Sequence, residues 1–376
     1  MKLVKSASVL LGASLIVALS APPSVAKSVS VPLSVQHGCV PLGGIHNDVN
    51  AGNAVDLNAT VYVGGDYFQQ GSAESEGNTV ISGNAHFQGN RLFNMGVVGV
   101  GTQLTPPALT DMLRVGGDMS IEGSTSLDIA FGLGANARVG GALTDANGSA
   151  VPDGSANGKP LELNGGEVTS RMGSDAALGG FATWDDNNFE QLAAFAQRQP
   201  QQLETRPAQL GDSGNIELHG DGVSETFVFE LTAEQLAAAR SWAGVDYVNI
   251  PANATVVVKL VGAEINLRVS SVFENGAMVA PMSAELVDLA SRTLWVADGP
   301  ESVTITGGAQ FAGSLVVPSQ NTRTEINVPG FNGRVWVAGD LVHSGAGAEI
   351  HTVPFVGDRV TSCEPPTPTE PTEPTE

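Results

Sequence analysis

The sequence predicts a mainly β protein, a β-solenoid with one flanking α-helix and a short second helix. Two observations lead to this prediction. Short apolar segments that end in a glycine turn recur along the chain, and the composition combines 46 glycines with only 5% aromatic residues. This composition is typical of many short strands joined by tight turns. Stacked strands of this kind bury their inward faces on the neighbouring repeats.

The recurring string is Val-Gly-Gly-Asp or a close variant. Its copies are Val63-Gly64-Gly65-Asp66, Ile81-Ser82-Gly83-Asn84, Val115-Gly116-Gly117-Asp118, Val139-Gly140-Gly141-Ala142 and Val337-Ala338-Gly339-Asp340. A degenerate copy near Val98-Gly99 divides the longest interval among the first four. Apolar residues alternate before each turn, which indicates half-buried strands, and the glycines are expected to supply a positive φ at each corner. The alternative is an antiparallel β-sandwich with glycine-rich hairpins.

Two segments interrupt the β pattern. Residues 187–203 carry apolar side chains at helical spacing behind Asp and Asn residues that can cap a helix, so they are predicted to form a helix along the solenoid flank. Residues 232–242 begin with a threonine cap and carry Glu and Gln in the first turn, which predicts the second helix. Strands are predicted at residues 215–218, 227–231 and 254–260.

The two ends of the chain predict export. Residues 1–26 have a basic start, an apolar run and a Ser24-Val25-Ala26 cleavage site, as in a secretory signal peptide. Residues 364–376 repeat Pro, Thr and Glu, which predicts a disordered stalk. Residues 27–363 are then expected to form a single domain. We expect a secreted protein that is anchored at the cell surface through a further C-terminal region.

The charge excludes several partners. The chain has 17 basic and 39 acidic residues, a formal net charge of −22. Nucleic acid requires a basic surface, and so does electrostatic docking to anionic lipid. No segment beyond the signal peptide is apolar and long enough to insert directly into a membrane. The expected partner is an extracellular ligand of unknown identity: a host matrix protein, a glycan or a neighbouring cell.

The two cysteines, Cys39 and Cys363, bracket the predicted domain. Because an exported chain meets an oxidising compartment, they are predicted to form a disulfide. The bond would require the first and last strands to be neighbours, since the two Cα atoms must lie within about 7 Å. Two free or intermolecular thiols are the alternative. Non-reducing mass spectrometry of the secreted protein is expected to show no alkylatable thiol on the native monomer, and two would contradict the disulfide.

The chain contains no local signature of a cofactor or metal site. None of the six histidines forms an HExxH motif or an i, i+4 pair, so no metal site is expected. His343 and His351 flank a glycine turn and are interpreted as solvated turn residues. Lys259 is the one candidate for an intramolecular Lys–Asn crosslink, although a solvated lysine is the expected state.

No catalytic residue is predicted either. Asp185 and Asp186 form the best acidic pair, but they precede the predicted 187–203 helix, where carboxylates cap and stabilise a helix start. Asp66, Asp118 and Asp340 recur at the turns. They are expected to accept hydrogen bonds from turn amides rather than to bind Ca²⁺.

Several stretches together resemble the choice-of-anchor A domain, an adhesive module of bacterial surface proteins. They begin at Ile250-Pro251-Ala252-Asn253, Thr293-Leu294-Trp295, Phe311-Ala312-Gly313-Ser314, Phe331-Asn332-Gly333-Arg334 and His343-Ser344-Gly345-Ala346. The resemblance covers about residues 46–356 and implies an exported, cell-surface protein that adheres. It carries over no catalytic residue.

The predicted function is therefore a non-catalytic bacterial cell-surface adhesin displayed on a Pro-Thr-Glu stalk. A structural surface-layer component is one alternative. A carbohydrate-active enzyme of the β-helix kind is another, and carboxylates clustered in an open groove would favour it.

Overall fold

The computed structural model describes residues 54–55, 59–97, 104–182, 204–240, 243–297 and 299–355. Short strands dominate these residues and the helices are few, so the prediction of a mainly β fold is confirmed. A small parallel pair joins β1 (Ala54–Val55) to β8 (Leu104–Thr105). The other described strands form four sheets.

The largest, sheet 1, contains strands from both halves of the chain. In spatial order its strands are β14 (Gly154–Ser155), β16 (Glu167–Thr169), β12 (Asn136–Val139), β9 (Asp111–Val115), β5 (Asn78–Ile81), β2 (Ala59–Val63), β32 (Val335–Val337), β29 (Ser314–Val317), β26 (Thr293–Ala297), β22 (Thr255–Val261), β20 (Thr226–Thr232) and β17 (Thr205–Pro207). Both of its faces are buried along β2 and β26. This burial explains why β22 reads as a nearly continuous apolar run rather than as an alternating one.

Sheets 2 and 3 repeat the same arrangement. Sheet 2 is β13 (Leu143–Thr144), β10 (Met119–Ile121), β6 (Ala85–Phe87), β3 (Tyr67–Gln70), β33 (Asp340–Ser344), β30 (Arg323–Asn327), β27 (Ser302–Thr306) and β23 (Glu264–Arg268). Sheet 3 is β15 (Leu161–Glu162), β11 (Ser126–Ile129), β7 (Leu92–Gly96), β4 (Glu74–Glu76), β34 (Glu349–His351), β31 (Phe331–Asn332) and β28 (Phe311–Ala312).

The strands of sheets 1 to 3 are parallel, apart from the antiparallel β14–β16 pair. The chain passes from sheet 1 to sheet 2 to sheet 3: β2, β3 and β4 make one such turn, and β5, β6 and β7 make the next beside it. In the second half, β29 to β31 and β32 to β34 follow the same order. The antiparallel sandwich considered as an alternative is therefore not formed by the described residues.

The first and last of these turns are neighbours. β2 pairs with β32, where Tyr62 lies opposite Trp336; β3 pairs with β33, and β4 pairs with β34. This confirms the expectation that the C-terminal strands return to the N-terminal ones. We call this junction of β2, β3 and β4 with β32, β33 and β34 the seam.

Sheet 4 contains only strands from the region between the two halves. It is β18 (Gln209–Leu210), β19 (Ile216–His219), β21 (Val245–Val248), β24 (Val272–Glu274) and β25 (Ala277–Met278). Its three central strands are parallel, and its two edge strands pair antiparallel. The predicted strands at 215–218, 227–231 and 254–260 correspond to β19, β20 and β22.

The described helices are short. They are α1 (Ser174–Leu178), followed by a 3₁₀ turn (Gly179–Phe181), α2 (Ala233–Ala238) and α3 (Ala284–Arg292). α2 is the predicted second helix: the Thr232 hydroxyl accepts from the Gln235 amide, and the Gln235 side chain accepts from the Thr232 amide. α3 was not predicted, although Ser283 caps it and its buried residues have helical spacing. The predicted 187–203 helix lies wholly outside the described residues, so it stays a prediction.

The glycines of the recurring turns were expected to supply a positive φ, but they have a different role. The glycines of the Val-Gly-Gly-Asp copies do not have a φ in the left-handed region. Instead they allow close approach: a Cβ at Gly64 would lie 2.3 Å from the Ala338 carbonyl oxygen, and one at Gly140 would lie 2.1 Å from the Gly116 oxygen. The expected positive φ was therefore wrong, and the glycines are required because adjacent turns stack backbone against backbone.

Candidate functional site

An open groove of about 1070 Å³ lies on the outward face of sheet 4. Three central strands supply its lining: in their parallel register Glu217 lies opposite Asp246, and Asp246 lies opposite Phe273. The residues that alternate with them, such as Ile216 and Leu218, are buried in the core. The period-two alternation of these strands thus places carboxylates and one aromatic ring side by side on the groove floor.

The acidic groups of the groove are held by local contacts. The Glu217 carboxylate lies 2.7 Å from Nε2 of His219, two residues further along β19. Asp246 is only 6% exposed, and one of its oxygens accepts from the Gly276 amide at 3.2 Å. Glycine at position 211 leaves room for Glu217, because a Cβ there would lie 1.8 Å from Oε1. Glu217 and Asp246 are therefore positioned by the strands that carry them, β19 and β21, together with these local contacts.

Further polar groups complete the lining. Asp212, Ser213, Ser270 and Ser271 line the groove beside the two carboxylates. Hydroxyls and carboxylates both accept hydrogen bonds, and the Phe273 ring adds an apolar surface to the lining. A pocket with a few convergent polar groups around an apolar surface is the usual form of a small-ligand site. The arrangement suits a polyhydroxylated ligand, which presents both O–H donors and C–H faces.

The turn aspartates take the role expected of them. Oδ1 of Asp340 accepts from the Asp66 amide, Oδ1 of Asp66 from the Asn84 amide, and Oδ1 of Asn84 from the Asp118 amide, at 2.9, 2.7 and 2.8 Å. Oδ1 of Asp118 then accepts from the Ala142 amide at 2.7 Å. These side chains form a ladder that connects one turn to the next, across the seam as well as within the first half. The prediction that they bond turn amides is confirmed.

The interpretation of His343 and His351 as solvated was wrong. His343 is fully buried, with Nδ1 3.2 Å from the Tyr67 hydroxyl, and burial lowers its pKa to about 3. His351 is 2% exposed and contacts Asn332 and Glu349. The local sequence around both looks like a glycine turn. The error arose because the partners that bury them come from other turns of the chain.

Beside His351 the structure brings together residues that no local motif connects. Glu74, Glu349 and His351 each offer a ligand atom, and these atoms lie within 4.8 Å of one another. Burial, together with Glu349 and Glu76, raises the pKa of the Glu74 carboxyl to about 7. The expectation of no metal site rested on local spacing, and this cluster lies between β4 and β34, at opposite ends of the described chain.

The remaining predicted residues divide into two groups. Asp185, Asp186, Cys39 and Cys363 lie outside the described residues, as do the signal peptide and the stalk, so those expectations stay predictions. Lys259 lies in β22 and is half-buried, so it is not the buried lysine that a crosslink requires.

The sequence analysis missed the groove residues. Their signal was the alternation Ile216-Glu217-Leu218-His219, in which polar residues occupy the outward positions. That alternation shows which face is outward. It does not show that the neighbouring strands contribute Asp246 and Phe273.

These features define a mainly β domain. A family model described as "Putative Ice-binding-like adhesive domain" matches residues 58–352, which is most of the chain. The chain belongs to this family, and an adhesive domain indicates a surface-exposed protein. No curated protein and no solved structure matches the chain. Among the described residues, no helix has the length and apolar character needed to span a membrane.

Proposed function

We propose that the chain is a non-catalytic adhesin of the bacterial cell surface that binds a glycan in the groove of sheet 4. The adhesive family supports the general role. The groove lining carries the more specific proposal, because Glu217, Asp246 and Phe273 share one outward face of three hydrogen-bonded strands. Carboxylates that accept from sugar hydroxyls, next to a ring that packs on sugar C–H groups, favour a glycan over an apolar ligand.

The finer parts of the proposal rest on supporting observations. The three parallel sheets, visited in a constant order, support a β-solenoid, and the order of the sequence stretches supports the choice-of-anchor A type of adhesive domain. A signal peptide at 1–26 and a Pro-Thr-Glu stalk at 364–376 would place residues 27–363 outside the cell as one domain, anchored beyond the stalk. A net charge of −22 is consistent with a soluble, exported domain.

Phe273→Ala is expected to weaken glycan binding about tenfold, the equivalent of about 1.4 kcal/mol, because the groove loses the aromatic ring that packs on sugar C–H groups. The measurement is a screen of the purified protein against polysaccharides and matrix proteins, followed by titration of the best binder. Phe131→Ala is the matched control, since Phe131 is 71% exposed and is not a groove residue. Equal binding by both variants would place the adhesive surface elsewhere.

The groove also favours a second candidate, the glycan-cleaving enzyme, because carboxylates cluster in an open groove, where Asp212 is exposed, Glu217 is half-buried and Asp246 is buried. If that function holds, the protein releases reducing ends from a bound polysaccharide, and Glu217→Gln or Asp246→Asn abolishes the release while binding persists. Our proposal expects no release from any polysaccharide that binds. A reducing-end assay on the wild-type protein separates the two functions.

A further inference from the structure

The outward face of sheet 3 carries the Glu74, Glu349 and His351 cluster at the seam. β4 and β34 are hydrogen-bonded neighbours, and Glu74 lies directly opposite Glu349 in their register. His351 follows Glu349 by two residues and therefore projects from the same face of β34. The three side chains converge so that their ligand atoms lie within 4.8 Å of one another. A single ion can therefore contact both the first and the last turn of the described chain.

The orientation of the His351 ring is determined by a contact outside the cluster. The amide nitrogen of Asn332 donates to Oε1 of Gln310 at 2.8 Å and to the Phe311 carbonyl at 2.9 Å, so its Oδ1 is an acceptor. That oxygen lies 3.0 Å from Nδ1 of His351, which must therefore carry the proton. Nε2 then points at the carboxylates, 3.0 Å from Oε2 of Glu349.

This arrangement is the one that metal-binding histidines adopt. Their second nitrogen donates to a carbonyl or carboxylate, which holds the ring and leaves a lone pair on the ligating nitrogen. In the neutral Nδ1–H form of His351, the lone pair of Nε2 would face a carboxylate oxygen, and a cation between the two removes that repulsion. His351 is 2% exposed, so its ring does not turn away into solvent, whereas the Glu349 side chain is 34% exposed and leaves an entry path.

We propose that Glu74, Glu349 and His351 form a binding site for a divalent transition-metal ion that connects the two sides of the seam. One imidazole and two carboxylates suit Zn²⁺, which is bound by nitrogen and oxygen ligands in fourfold coordination, with water in the remaining position. Ca²⁺ requires six to eight oxygen ligands, and an imidazole does not serve it. The site is separate from the groove and does not depend on the glycan proposal.

The test is calorimetric titration of the metal-stripped full chain with ZnCl₂ near pH 7.5, alongside thermal unfolding with and without the ion. We expect one saturable site and a higher unfolding temperature, since the ion binds only the folded arrangement. Glu74→Gln is expected to weaken Zn²⁺ binding at least tenfold, and His351→Gln to abolish it. CaCl₂ is expected to give neither effect.

Two control variants keep the result interpretable. Glu162→Gln changes a carboxylate in the same outward row of sheet 3. His219→Gln changes a Glu–His pair on a different sheet, where Nε2 lies 2.7 Å from the Glu217 carboxylate. Both variants are expected to bind Zn²⁺ like the wild type. Glu74 is half-buried, so Glu74→Gln is expected to fold. This variant therefore tests the site even if His351→Gln fails to fold. Absence of Zn²⁺ binding, or binding that Glu74→Gln leaves unchanged, would overturn the proposal and leave His351 and Glu349 as an ion pair.

Discussion

Gly64→Ala is expected to destabilise the domain by about 3 kcal/mol, the upper end of the usual cost of overpacking. The new Cβ would lie 2.3 Å from the carbonyl oxygen of Ala338 and 3.1 Å from its Cα. Both are backbone atoms, so no side-chain rotation relieves the contact. The amide of Gly64 also donates to the Val337 carbonyl at 2.8 Å, and separation of the strands would lengthen this hydrogen bond at the seam.

Gly308→Ala is the matched control for this change. No atom lies within 4 Å of a Cβ built at Gly308, and its φ is outside the left-handed region. The free energy of unfolding of the Gly308→Ala protein is expected to remain within about 0.5 kcal/mol of the wild-type value. Urea unfolding followed by circular dichroism measures both variants. A Gly64→Ala protein as stable as Gly308→Ala would show that the first and last turns do not pack as closely as described.

Acidification from pH 7 to pH 5 is expected to cost about 2 kcal/mol of folding stability through His343 alone. Burial lowers the pKa of His343 from 6.5 to about 3 in the folded protein. Below pH 6.5 the unfolded chain therefore takes up a proton that the folded chain does not. The contribution of His343 to the free energy of unfolding is complete well above pH 6.5, and between the two pKa values it falls by about 1.4 kcal/mol per pH unit.

His343→Gln isolates this contribution from that of the carboxylates, which also titrate in acid. Glutamine does not titrate, and it retains a polar group able to bond the Tyr67 hydroxyl, which lies 3.2 Å from Nδ1 of His343. The loss of stability between pH 7 and pH 5 is expected to be about 2 kcal/mol smaller in the variant than in the wild type. Denaturant titrations at the two pH values measure it. If both proteins lose the same free energy of unfolding between pH 7 and pH 5, then His343 is accessible to protons in the folded state.

Much of the local structure was predictable, because its causes lie within a few residues. The alternation at β19, β20 and β22 marked strands, and Thr232 with Gln235 marked α2 through a capping box that closes within one helical turn. The turn residues Asp66, Asp118 and Asp340 were also predictable as acceptors for turn amides, whereas the same role of Asn84 was not predicted. Even so, the turn glycines were recognised for the wrong reason, since their requirement comes from the next turn of the chain and not from their own φ.

The sequence by itself determined the mainly β class, the recurring turns and the acidic net charge, and its resemblance to known domains indicated an adhesive family. Only the tertiary structure decided which residues become neighbours across strands. Glu217 meets Asp246 and Phe273 through parallel pairing, and Glu74 meets Glu349 and His351 across the seam. Alternation specifies which face a side chain occupies, but the partner strand is set by the stacking of whole turns. His343 and His351 were misjudged for the same reason: their burial depends on strands that are hydrogen-bonded in space and remote in sequence.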